Sequence, residues 1–161
     1  MKPLIDLYAY SPPKLQSLIL FALGEIGNKA ESSIELIMSQ INSKNMYIKY
    51  NAVEALGNIC NGVSNDQILS NVSLGLVQAL SDNDEQTRFR ACLSMIQIAN
   101  KVSSPIVLEA LETALDDSNR YVRGYAVLAL ERMGTKESLA ILVKELMKSR
   151  WDPLTTKNTQ F

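Results

Sequence analysis

The stretch YNAVEALGNI, residues 50–59, decides the fold of this chain. Its apolar residues Ala52, Ala55, Leu56 and Ile59 recur at i, i+3, i+4 and i+7, which predicts an amphipathic α-helix with one buried stripe. The alanines let a neighbouring helix approach closely, while leucine and isoleucine supply most of the buried area. Such a stripe needs a second apolar surface to cover it.

The same pattern returns three times along the chain. Ile19, Ala52, Ala91 and Ala126 are equivalent, and they are spaced by 33, 39 and 35 residues. Periods of this size, with two helices in each unit, indicate an α-solenoid in which neighbouring units bury each other's bare faces. The matching stretches are SLILFALGEI at 17–26, RACLSMIQI at 90–98 and GYAVLALERM at 124–133.

Polar turns separate the predicted helices. The segments 42–45, 81–84 and 116–119 are rich in Asn, Asp and Ser, the residues preferred at helix N-termini, and each precedes one of the repeated stretches. Together, the turns and the periodicity predict helices at about 3–10, 12–27, 30–41, 45–60, 66–80, 84–100, 104–115, 119–134 and 136–149.

Composition excludes several classes of protein. The 161 residues are 47% hydrophobic with a net charge of -1, so the chain has material for a core but lacks the basic surface that nucleic-acid binding requires. No apolar run is long enough to cross a membrane, and the N-terminus lacks the features of a secretory leader. Cys60 and Cys92 fall in helical segments and are expected to be small buried residues in a reducing compartment. We therefore expect a cytoplasmic protein.

The sequence offers no catalytic chemistry. It contains no histidine, which removes the commonest general base and metal ligand. Nucleotide-binding glycine motifs, paired-cysteine metal motifs and nucleophile motifs are also absent. The sequence predicts no catalytic residue, no cofactor and no metal site.

The units resemble HEAT repeats, and in particular the short Ala-Leu-Gly-rich type found in phycobilin lyase subunits. Members of that family often place an Asp in the turn six residues before an Arg on the second helix, as in Asp82 to Arg88 and Asp117 to Arg123. Lys49 and Gln16 stand at the corresponding Arg positions of the earlier units, so we expect the polar ladder between turns to weaken towards the N-terminus.

The resemblance implies an all-α, right-handed α–α superhelix of about four helix pairs plus a capping helix. We assign residues 1–149 to this solenoid and residues 150–161 to a C-terminal tail. The last predicted helix carries a polar face that suits a cap. Trp151, in the tail, has two interpretations: it closes the core of the last pair, or it begins a peptide that docks on a partner.

The resemblance also places the second helices of the units along the concave surface. Helical spacing then predicts which of their side chains point away from the core, and this row carries rings and aliphatic groups where charges are more usual. Such a row marks a protein interface, or else packs between helices as an extension of the core. The candidate partner-binding residues are Phe21, Tyr47, Tyr50, Phe89, Leu93, Tyr121, Tyr125 and Leu128.

Two functions remain after these exclusions. The first is a non-catalytic adaptor or scaffold that binds another protein on the concave face. The alternative, implied by the resemblance, is an accessory or chaperone-like subunit that acts on a phycobiliprotein, with a bilin or phycobiliprotein as partner. A DNA-binding array would need a basic groove, and Lys14 and Arg132 are the only basic residues among the sixteen positions of the predicted row.

Overall fold

A computed structural model describes the backbone of residues 2–151 and the side chains of residues 2–148. Within these ranges the protein is all-helical and contains no strand. The 3-10 helix Gly27–Ser33 lies between α2 and α3. The α-helices are α1 (Lys2–Tyr10), α2 (Pro13–Ile26), α3 (Ile34–Met38), α4 (Met46–Cys60), α5 (Asp66–Leu80), α6 (Glu85–Ile98), α7 (Pro105–Ala114), α8 (Arg120–Met133) and α9 (Lys136–Trp151).

The helices form two layers of a solenoid. Consecutive helices pair as α1 with α2, α3 with α4, α5 with α6 and α7 with α8, and α9 opens a fifth pair. The second helices of the pairs pack side by side in the order α2, α4, α6 and α8, while α5, α7 and α9 form the layer of first helices. This arrangement confirms the predicted α–α superhelix.

The core consists of the stripes that the repeats supply. Ala52, Ala55, Leu56 and Ile59 of α4 are at most 1% exposed. The equivalent side chains of α6 and α8, such as Met95 and Leu130, are fully buried as well. Each fully buried Leu, Ile or Met stabilises the fold by about 1.5–3 kcal/mol relative to its exposed state. The stabilising free energy of apolar burial is therefore spread over the contacts between successive units.

The helices begin where the turn residues predict. The side chain of Asn45 accepts hydrogen bonds from the backbone N–H groups of Tyr47 and Ile48, and the side chain of Asn119 accepts one from Tyr121. Asp84 caps α6 in the same way, by accepting from the backbone and hydroxyl of Thr87. These bonds satisfy N–H groups that have no partner within their own helix.

A ladder of polar contacts joins successive turns. The guanidinium group of Arg88 donates from Nε and Nη2 to both carboxylate oxygens of Asp117, at 2.6 and 3.0 Å. Its Nη1 donates to the carbonyls of Asp82 and Asn83. This bidentate pair raises the pKa of Arg88 and lowers the pKa of Asp117. The contact fixes how the third unit stacks on the fourth.

The ladder weakens towards the N-terminus, as the sequence predicts. Lys49 makes a single contact to Asp82, at 2.8 Å, in place of a bidentate one. Gln16 turns back and donates to the carbonyl of Tyr8, at 3.1 Å. Within the part of the chain that the structure describes, the hydroxyl of Ser43 accepts a hydrogen bond only from the backbone of its own turn. The first unit is therefore held mainly by apolar packing.

Two expectations need correction. The predicted helix at 30–41 is α-helical only from Ile34 to Met38. Gly27 ends α2 with a positive φ of 67°, and the seven residues Gly27–Ser33 form a 3-10 helix. The polar outer face expected for α9 is present, but it is not continuous. Lys136, Glu137, Lys144 and Lys148 are exposed, and the last two pair with Glu112 of α7 and with Asp116 in the turn after α7. The same helix also exposes apolar side chains, which are Leu139, Val143, Leu146 and Met147.

The candidate protein-binding surface

The eight predicted site residues all lie on second helices. Phe21 comes from α2, Tyr47 and Tyr50 from α4, and the other five from α6 and α8. We call these eight residues the aromatic surface. Their exposure is uneven: Tyr47, Tyr121, Phe21 and Leu128 are 66%, 54%, 51% and 46% exposed, whereas Tyr50, Phe89, Leu93 and Tyr125 are half-buried.

Phe89 of α6 contacts two aromatic rings of α8. Its ring lies 5.1 Å from the ring of Tyr125 and 6.5 Å from that of Tyr121, and both pairs have the edge-to-face geometry that aromatic quadrupoles favour. Phe89 and Tyr125 also pack on the core. The cluster therefore stabilises the array while Tyr121 remains at its outer edge.

Tyr50 is held by the neighbouring unit. The guanidinium carbon of Arg90 lies 5.2 Å from the centre of its ring, in a cation–π arrangement, and Arg90 also forms an ion pair with Glu54. Burial and the nearby carboxylate of Asp84 raise the pKa of the Tyr50 hydroxyl. Tyr50 thus connects α4 to α6, and little of its ring is free for a partner.

The central rings are consequently engaged within the protein, and the exposed ones lie at the two ends of the surface. Near the N-terminal end, Tyr47 borders an open cavity of about 420 Å³ between α2 and α4, which is also lined by Lys14 and Leu18. Near the C-terminal end, Arg120 lies over the ring of Tyr121 with its guanidinium carbon 4.8 Å away. Leu128 is exposed on the same helix.

One position of the predicted outward row is buried. Helical spacing assigns Ser17 of α2 to the outward row, four residues before Phe21, but it is only 9% exposed. The side-chain amide of Asn51 in α4 donates to both the carbonyl and the hydroxyl oxygen of Ser17, at 2.9 and 2.8 Å. A polar contact between two second helices thus occupies this point.

A larger cavity than the one beside Tyr47 lies in the other helix layer, and sequence reasoning missed it. A groove of about 1040 Å³ opens between α3 and α5, in the layer of first helices. It lies beside the 3-10 segment and the five-residue helix α3. The residue that could have pointed to this groove is Leu74 of α5, an apolar side chain that the structure leaves exposed. The groove is lined by Glu31, Ser32, Ile34, Glu35, Met38, Ile68, Asn71 and Leu74.

The described residues bring together no group of three acidic or cysteine side chains that could hold a metal ion. Cys60 and Cys92 are free and buried, and burial raises their thiol pKa values to about 11 and about 12. Between residues 2 and 151, no helix is both long and apolar enough to cross a membrane.

Comparison with known proteins agrees with this architecture. The family of HEAT repeats matches residues 73–158, which is more than half of the chain. The chain belongs to the HEAT-repeat family. The two-helix units described above are therefore HEAT repeats, and the helix pair α7 and α8 lies wholly within the matched range. No curated protein sequence matches this HEAT-repeat chain.

Solved structures resemble this HEAT-repeat protein at low sequence identity. A designed armadillo repeat protein in complex with the peptide (KR)4 is 20% identical, with a TM-score of 0.71 over 98% of this chain and 78% of that one. The complex of CpcE and CpcF of phycocyanin lyase from Nostoc sp. is 19% identical, with a TM-score of 0.61 over 97% and 93%. An engineered protein of known structure is 19% identical, with a TM-score of 0.66 over 88% of this chain, which spans 66% of its length. These likenesses show the fold alone.

Proposed function

We propose that this HEAT-repeat protein is a non-catalytic adaptor that binds another protein on the aromatic surface. The observation that carries the proposal is the exposure of Tyr121 and Leu128 beside the Phe89 cluster. Rings fixed in place by their neighbours lose little conformational entropy on binding, and exposed aromatic and aliphatic groups are typical centres of protein interfaces.

The C-terminal end of the surface offers a defined chemistry. Arg120 and Arg132 flank the exposed Tyr121 and Leu128 on α8, and both arginines are exposed. A partner segment with apolar side chains and one or two carboxylates would match this pattern. The cytoplasmic location expected from the sequence is compatible with two free buried cysteines.

Photocrosslinking tests the proposal in cells that express the protein. A photoreactive phenylalanine analogue replaces Tyr121, and the same analogue replaces Leu74 on α5 as a matched control. Both positions are about half exposed, but they lie on different helix layers. We expect one defined protein adduct at position 121 and none of the same mass at position 74. Identical adducts at both positions, or no adduct at 121, would contradict the proposal.

Leu128→Glu is the companion variant. It should reduce the adduct formed at position 121 at least tenfold, since a charge buried at the centre of an interface costs on the order of 2 kcal/mol or more. Its thermal unfolding should remain unchanged, because Leu128 is exposed in the free protein. Mixing the protein with phycocyanobilin distinguishes the adaptor from the alternative function. A shift in the visible absorbance of the bilin would favour an accessory subunit that acts on a phycobiliprotein.

A further inference from the structure

The groove of about 1040 Å³ between α3 and α5 lies on the helix layer opposite the aromatic surface. It opens where the layer of first helices is loosely packed, since α5 packs along α7 but makes few contacts with α3. Its volume is at the upper end of the range for binding pockets, which is about 300–1,000 Å³. The groove is therefore large enough to admit several side chains of a partner.

The floor of the groove is apolar and adaptable. It is lined from α3 by Ile34 and Met38, and from α5 by Ile68 and the 47% exposed Leu74. The methyl carbon of Met38 lies 2.7 Å from the point that a Cβ atom at Gly75 would occupy, so the glycine leaves room for it. Methionine is unbranched and flexible, and Met38 can therefore adjust to side chains that enter the groove.

The rim of the groove is acidic. The side chains of Glu31 and Glu35 are exposed there, and no cation is among the described residues that line the groove. Neither carboxylate forms an ion pair or a side-chain hydrogen bond with the described residues. Lys29 is the only basic residue in the segments 27–41 and 66–80. This charge repels a nucleic acid or an anionic membrane surface and attracts a basic partner.

The backbone around the groove favours a helix as the occupant. The groove is lined by side chains of helical segments, whose backbone groups are largely hydrogen-bonded within those segments. An extended segment would bury N–H and C=O groups without partners, whereas an α-helix satisfies its own. Glu31 and Glu35 are four residues apart, or about one helical turn, so both can face basic residues one turn apart on an incoming helix.

We propose that this groove binds an amphipathic α-helix of a partner protein. The apolar face of that helix lies against Met38 and Leu74, and its flanking Lys or Arg residues lie at Glu31 and Glu35. The apolar contacts supply most of the affinity, and the charges fix the position of the helix. The groove and the aromatic surface can be occupied together, because they lie on different helix layers. The proposal does not rest on the function proposed for the aromatic surface.

Methyl NMR of the methionines tests the site with a defined probe. The probe is a synthetic peptide of about 18 residues with Leu at positions i, i+3, i+4 and i+7 and Lys elsewhere, and its control carries Glu in place of Lys. We expect the Lys peptide to shift the methyl resonance of Met38 and the Glu peptide to leave it in place. Met46 and Met147 are internal controls, because they are 51% and 57% exposed but lie on α4 and α9. Equal shifts of all three methionines, or no shift of Met38, would overturn the proposal.

Paired substitutions of exposed residues locate the affinity, which is measured by fluorescence anisotropy of the labelled Lys peptide. Glu35→Gln should weaken binding about threefold and Leu74→Ala about fivefold. Glu109→Gln and Ile106→Ala are the matched controls, since both residues are exposed on α7 of the same layer and line a smaller cavity. The controls should bind as the unaltered protein does. Losses in the controls as large as those in the groove variants would contradict the assignment to the groove.

Two further measurements identify the occupant and separate this proposal from the previous one. Leu128→Glu, which alters the aromatic surface, should leave the affinity for the Lys peptide unchanged, and a weakened affinity would place the peptide on that surface instead. Dilution of the protein alone by about tenfold should leave the Met38 resonance in place, because a folded monomer has the same groove at any concentration. A Met38 resonance that moves on dilution would assign the groove to a second copy of the chain and overturn the proposal.

Discussion

Gly57 of α4 lies directly against the backbone of Ser94 in α6. A Cβ atom added at Gly57 would lie 2.6 Å from the Cα of Ser94, closer than real side chains approach. The Ser94 hydroxyl also donates to the carbonyl of Val53, at 2.8 Å. The backbones of α4 and α6 are therefore in direct contact at this point.

Gly57→Ala should destabilise the protein by about 1–3 kcal/mol, since α6 must move away from α4 to admit the methyl group. The loss outweighs the gain of up to about 1 kcal/mol that alanine brings to a helix interior. Gly124→Ala is the matched control, because no atom lies within 4 Å of the added Cβ. It should raise stability. Urea unfolding of both variants measures the two effects, and a stabilised Gly57→Ala would show that the close contact is absent.

Because of the ion pair between Arg88 and Asp117, we expect the free energy of unfolding to depend on pH. The pKa of Asp117 is lowered in the folded protein, so its contribution to stability is complete above the ordinary value near 4 and is lost as the pH falls through the lowered pKa. The side chains of Arg88 and Asp117 are only 15% and 9% exposed, so the contribution is not lost to solvent screening.

Asp117→Asn should therefore lower the free energy of unfolding by about 2 kcal/mol near neutral pH, and the difference from the unaltered protein should shrink in acid. Asp116→Asn, next to it, removes an exposed carboxylate whose one ion-pair partner among the described residues is Lys148, and it should change stability by less than about 1 kcal/mol. Urea titrations at a series of pH values measure both. A pH-independent difference for Asp117→Asn would disprove the electrostatic origin.

Lys101 closes the C-terminal end of α4 from a distant part of the chain. Its ammonium group donates to the carbonyls of Cys60, Asn61 and Val63. These carbonyls stand at the negative end of the α4 helix dipole, where a cation is favoured. The contact ties the end of α4 to the turn after α6.

Lys101→Met keeps the aliphatic stem and removes the three hydrogen bonds. It should lower stability by about 1 kcal/mol, a modest value because the residue is exposed. Lys29→Met is the control, since Lys29 makes no ion pair or side-chain hydrogen bond with the described residues. Equal melting temperatures for the two variants would show that the cap contributes nothing.

The two cysteines provide a probe of unfolding. Because burial raises the pKa values of Cys60 and Cys92 to about 11 and about 12, almost no thiolate exists near neutral pH and both sulfurs are shielded from reagents. Ellman's reagent should react with neither thiol in the folded protein and with both in urea. Rapid reaction of one thiol without denaturant would reveal local opening of its helix.

Much of this fold follows from short-range signals. Asn45 and Asn119 mark the starts of α4 and α8 because a side-chain oxygen at those points satisfies free N–H groups, a local property that sequence shows directly. The ladder is also visible, since the spacing of Asp117 and Arg123 repeats that of Asp82 and Arg88. Its weakening at Gln16 is confirmed by the structure.

The remaining features depend on contacts between distant residues. The burial of Ser17 results from the amide of Asn51, and the engagement of Tyr50 results from Arg90, forty residues later. Helical periodicity assigns a side chain to a face but does not state what the next repeat places against that face. For the same reason, the binding role of the outward row stays a prediction. The structure shows which members of the row are exposed, and they lie at its two ends.

The unequal packing of the two helix layers has a mechanical consequence. The second helices α2, α4, α6 and α8 contact one another in order, whereas a cavity of about 1040 Å³ opens between α3 and α5 in the layer of first helices. We expect the array to bend more easily by narrowing or widening this cavity than by separating the second helices. Such a bend would tilt the units before α5 about the α4–α6 contact, which would change the distance between Tyr47 and Tyr121 and adjust the span that a bound partner must bridge.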